Sequence, residues 1–77
     1  MPGLTLGTLL GGVCRVLDDQ GQHVGNLKLI GGHWKFKAIG YDEDGQVRPG
    51  GGPLTANHDM QFAQLDAAEI SARLLGG

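Results

Sequence analysis

Apolar and polar residues alternate with period two through much of the first half of the chain. The alternation runs through residues 13–17, 23–30 and 33–41, and it predicts strands. Turn signals separate these runs. Asp18-Asp19-Gln20-Gly21-Gln22 and Asp42-Glu43-Asp44-Gly45-Gln46 share the pattern Asp-x-x-Gly-Gln, with Asp bonding nearby backbone and Gly at a positive φ. Gly31-Gly32 is a two-residue hairpin connection. Three tips join four strands, the last over residues 46–48, and tight turns join only antiparallel neighbours. The expectation is a β-meander.

Pro49-Gly50-Gly51-Gly52-Pro53 should end it, because proline supplies no ladder donor and glycine has the most chain entropy to lose. Residues 49–58 read as a Gly/Pro-rich loop, a flexible loop or hinge over 49–53 and irregular over 54–58, and residues 59–62 alternate well enough for a short fifth strand. Asp66-Ala67-Ala68-Glu69 carries an N-cap carboxylate with Glu at the third helical position, and Leu65 and Ile70 occupy staple positions. A helix is predicted over 66–75, with Ala67, Ile70 and Leu74 on its apolar side and Gly76 ending it. The alternation of Leu4 to Leu10 is weak, and residues 1–11 fit either an edge strand or a flexible arm. The fold class is therefore α+β: one domain spanning 1–77, a small antiparallel β-meander of four or five strands with one C-terminal helix packed on one face.

Strand alternation also sorts the two faces. Cys14, Val16, Leu27, Leu29, Trp34, Phe36 and Ala38 should form the core beneath Ile70 and Leu74. Arg15, Lys28, Lys35 and Lys37 then share the opposite, open face with Tyr41. Five of the six basic residues lie between positions 15 and 48, and five of the eight acids lie in two hairpin tips. A basic sheet face with an aromatic ring suits single-stranded nucleic acid or another polyanion, cations meeting phosphates and the ring meeting bases. Arg15, Lys28, Lys35, Lys37 and Tyr41 are the binding candidates on that reading. A net charge of −2 and a pI near 5.8 weigh against it, and lysines on an open face also serve simply to keep a sheet soluble.

Composition narrows the function classes. Fifteen glycines in 77 residues favour turns and short strands over long helices. The longest uncharged stretch, residues 1–14, is broken by Pro2 and four glycines, so no membrane span is expected. The first basic residue, Arg15, follows the apolar part, so the pattern is not that of an export signal and the expected compartment is the cytoplasm. Cys14 is the single cysteine, which excludes an internal disulfide. It reads as a small core residue.

His23, His33 and His58 lack metal-ligand spacing with one another or with Cys14, so no metal is expected. The 42–45 turn lacks the later oxygen ligands of a calcium loop, and the 49–53 segment lacks the Gly-Lys-Ser/Thr ending of a phosphate loop. The single serine, Ser71, falls on the helix, away from any histidine base. No catalytic residue, cofactor or enzyme activity is expected. The sequence carries no signature of a known family. The reading is a small non-enzymatic interaction module that takes a protein partner or a second copy of itself through a strand edge or the open sheet face. Nucleic-acid or polyanion binding is the alternative.

Overall fold

The computed structural model describes residues 3–75. Five strands follow one another antiparallel: β1 (Thr5–Leu10), β2 (Val13–Leu17), β3 (His23–Ile30), β4 (His33–Tyr41) and β5 (Val47–Pro49). A sixth, β6 (Gln61–Phe62), pairs with the early part of β4, and α1 (Ala67–Leu74) follows it. The molecule is thus a five-strand meander with a C-terminal helix on one face. Among the described residues, no helix is long and apolar enough to cross a membrane.

Turn chemistry sets the hairpins. Asp18 Oδ1 accepts the amides of Gln20 and Gln22, and Asp42 Oδ1 accepts those of Asp44 and Gln46, with Gly21 and Gly45 at φ +81° and +80°. Gly31-Gly32 has positive φ at both positions, and so does Gly11-Gly12, which joins β1 to β2. The weak alternation near the N-terminus therefore forms an edge strand. The strand expected at 46–48 is displaced by one residue. It takes in Pro49, which an outer strand tolerates, since no neighbour requires its missing N–H.

The core lies between the sheet and α1. Cross-strand partners Cys14, Leu27 and Phe36 form its central row, next to Val16, Gly25 and Ala38, and Ile70 and Leu74 close it from the helix. Asp66 caps the helix by accepting the amides of Ala68 and Glu69 at 3.0 and 3.2 Å, and Arg73 lies over the Phe62 ring, 4.6 Å from its centroid. Ser71 Oγ accepts the Leu4 amide at 2.9 Å and donates to the Leu4 carbonyl, tying α1 to the start of β1. The expected terminator, Gly76, lies outside the described residues.

Two expectations about the core are corrected. Leu29 shares the face of Leu27 yet is 51% exposed, because an eight-residue helix is ~12 Å long and an eight-residue strand ~26 Å. The helix leaves the far end of the sheet uncovered. Ala67 is likewise exposed, being in the first turn before α1 settles onto the sheet.

The Gly/Pro segment is hydrogen-bonded down the outer side of β4. Gly50 N–H donates to Ala38 O at 2.7 Å, and Gly52 packs so closely on Gly40 that a Cβ at 40 would lie 2.6 Å from the Gly52 nitrogen. Glycine at both positions permits that approach. Further along, Phe36 exchanges backbone hydrogen bonds of 2.7 Å with Met60 O and Asp59 N. Between these two stretches the Ala38 amide donates to His58 Nδ1 at 3.0 Å, so an imidazole stands in for a missing strand carbonyl. Asp59, expected inside the fifth strand, instead takes φ +75° just before it.

Candidate functional site

The open face is set by the strand register. Arg15 lies opposite Asn26 and Asn26 opposite Lys37; Val13, Lys28, Lys35 and Gln61 form the next row. All these side chains leave the sheet away from the Cys14, Leu27 and Phe36 row, because successive strand residues point to opposite faces. The four cations named from the sequence are therefore brought to one surface.

They are not equivalent there. Lys37 Nζ lies 2.5 Å from Asp59 Oδ1, and this hydrogen-bonded pair holds the Asp59 carboxyl below the usual carboxylate range, helped by the charges of Lys37 and Lys35. Lys37 is thereby compensated. Among the described residues, Arg15, Lys28 and Lys35 have no acidic partner within ion-pair distance. Lys28 and Lys35 face each other across β3 and β4, an arrangement that costs stability when nothing compensates it.

Tyr41 stands apart from the cations. It is six residues beyond Lys35 on β4, about 20 Å at strand rise, and half exposed. There its hydroxyl lies 3.4 Å from His23 Nδ1, while His23 Nε2 lies 2.8 Å from Asn26 Oδ1. With Asn26 Oδ1 as acceptor the proton sits on Nε2, and Nδ1 accepts from the tyrosine hydroxyl. A polar chain Tyr41, His23, Asn26 thus links the ring to the row that carries Arg15 and Lys37.

Strict alternation would put His23 and Asn26 on opposite faces, and the sequence reading accordingly misses both. A β-bulge brings them together: Val16 pairs with Gly25 and Leu17 with His23, so Val24 is the extra residue. Gly25 inside an otherwise regular strand is the signal that marks it. Asp59 and Gln61 were also missed, because they reach this face only after the chain folds back along β4.

Elsewhere the chemistry is spare. Cys14 is buried, its Sγ 3.5 Å from Gly7 O, and burial pushes its thiol pKa up. A thiol so placed is a poor nucleophile. Among the described residues, no three His, Cys, Asp or Glu side chains are grouped to hold a metal ion.

The strand edges are the other candidate surface. The outer side of β4 is covered by β5, Gly50, His58, Asp59 and β6; the Gln61 carbonyl in turn accepts from Arg73. The short β5 edge carries Arg48 and Pro49. β1 differs: six residues, Thr5-Leu6-Gly7-Thr8-Leu9-Leu10, with no charge and no proline, a bulge between Leu6 and Leu9, a strand partner on one side only among the described residues, and Leu10 79% exposed. Compared with protein-family models, curated proteins and solved structures, the chain matches none.

Proposed function

We propose that the chain is a non-enzymatic, cytoplasmic interaction module that accepts an extended segment of a partner protein along β1. The carrying observation is the contrast between edges. An outer strand presents a row of unpaired amides and carbonyls, and sheets ordinarily protect such rows with charge, proline, short length or a covering segment. β4 and β5 have those protections; among the described residues β1 has no charge, proline or covering segment, and its one irregularity is the bulge between Leu6 and Leu9. Strand addition gives affinity through main-chain hydrogen bonds, with exposed leucines such as Leu9 and Leu10 supplying side-chain contact.

The test is to pan a random-peptide library against the immobilised chain and map the selected peptides by amide NMR. Shifts and exchange protection along Thr5–Leu10, lost in Leu10→Lys, are expected. Selected peptides that leave β1 unmoved would overturn the assignment.

One observation favours the second reading, binding of single-stranded nucleic acid or another polyanion on the open face. Lys28 and Lys35 are opposed like charges without an acidic partner, and Arg15 lies one row away. A bound phosphate chain would remove their repulsion. Titration with mixed short oligonucleotides should then shift the Arg15, Lys28 and Lys35 amides and fade with salt. Tyr41 would contribute little, being a strand's length from Lys35. Unchanged affinity after replacing Lys28 and Lys35 by Glu would refute this reading.

A further inference from the structure

A groove of about 460 Å³ opens at the end of β3 and β4 remote from the Gly31-Gly32 hairpin. Its apolar lining includes Val24 and Ile39, both nearly buried, with Tyr41 and Pro53 beside them and His23 hydrogen-bonded to the Tyr41 hydroxyl. This surface is separate from β1, and the Gly/Pro segment builds part of it by resting on Gly40. The volume is within the range of ligand sites, and the Tyr41 ring is half exposed.

Charge defines what fits. The meander places the 18–22 and 42–46 turns at this same end, and they carry five carboxylates: Asp18, Asp19, Asp42, Glu43 and Asp44. Arg48 pairs with Asp42 at 3.0 Å. Among the described residues, Asp19, Glu43 and Asp44 have no ion-pair partner. An apolar groove with an exposed aromatic ring between two acidic turns complements a long side chain that is apolar along its stem and cationic at its tip.

We infer that this groove binds an arginine side chain presented by an extended segment of another protein. The aliphatic stem lies against the exposed Pro53, over the buried floor of Val24 and Ile39, and the planar guanidinium stacks on Tyr41 facing the acidic turns. Arginine suits the groove better than lysine, because its flat, weakly hydrated head stacks on a ring while retaining donors for carboxylates.

The experiment titrates the labelled full chain with a blocked peptide of alternating glycine and arginine, and with the same peptide carrying citrulline, which keeps the shape and removes the charge. Expected are shifts centred on Ile39, Gly40, Tyr41 and Gly52, at least fivefold weaker binding of the citrulline peptide, and a similar loss in Tyr41→Leu. The double replacement Glu43→Lys, Asp44→Lys, on an exposed turn, should weaken the arginine peptide by tenfold or more. Equal binding of the two peptides, or shifts confined to the turns or to β1, would overturn the inference. So would shifts at these amides on changing protein concentration without peptide, which would assign the groove to a second copy. Shifts along β1 bear on the strand-addition reading instead, so the two can fail separately.

Discussion

Replacing Gly25 by alanine probes the point where the bulge, the core and the open face meet. An ideal Cβ at this position would fall on the Phe36 ring, 2.5 Å from Cζ and 2.9 Å from the Lys37 carbonyl oxygen, where ordinary contact begins near 3.4 Å. About 1 Å of movement is needed, and little can give. Phe36 is fully buried among Leu27, Phe62, Ile70 and Leu74, and the carbonyl belongs to β4, an interior strand paired on both sides. Overpacking of a tight core typically costs 1–3 kcal/mol, and contact with both a locked ring and a backbone atom places this substitution near ~3 kcal/mol. A chain of this length has roughly 4–12 kcal/mol of stability, and each kcal/mol moves the midpoint by about 4–8 °C. Thermal unfolding followed by circular dichroism should therefore show Tm lower by about 12–24 °C. A double-mutant cycle with Phe36→Leu separates ring contact from backbone effects: with the ring gone, the alanine should cost under about 1 kcal/mol more. A fall of less than 4 °C in the single variant, or strict additivity in the cycle, would refute the close packing of Gly25 under Phe36.

Leu27→Ala should cost about 3 kcal/mol in urea unfolding and Leu29→Ala under about 1, since the first is fully buried and the second half exposed; equal losses would contradict the uncovered end of the sheet. The Asp59 carboxyl, lowered chiefly by its hydrogen bond to Lys37, contributes stability that is present above the unfolded-state pKa near ~3.9 and lost as pH falls through the folded value. Asp59→Asn should thus be less stable than the parent at pH 6, the gap narrowing in urea titrations below pH 4; a gap independent of pH would exclude the pair as its source. Cys14 should resist an aromatic disulfide reagent in the native state and react at the rate of opening, rising with urea; immediate reaction in buffer would mean that the strand does not bury it.

Local signals in the sequence determined much of this molecule. The bounds of β2, β3 and β4, the two Asp-x-x-Gly-Gln turns and the Asp66 cap were legible because each rests on residues within a few positions of one another. Their physics is short-range hydrogen bonding and period-two patterning. The gathering of Arg15, Lys28, Lys35 and Lys37 on one face followed from the same alternation. What the tertiary structure alone decided involves partners far apart in the chain. Lys37 meets Asp59 after a reversal of 22 residues, His58 replaces a strand carbonyl for Ala38, and Ser71 bonds Leu4 across 67 positions. None of these leaves a periodic trace, because a single side chain completes each. The helix length against the strand length decided that Leu29 is exposed, and the bulge at Val24 decided that His23 and Asn26 share a face. Edge protection is likewise a property of the assembled sheet: only once β5, β6 and the Gly/Pro segment lie along β4 does β1 stand out, among the described residues, as the edge without a covering segment.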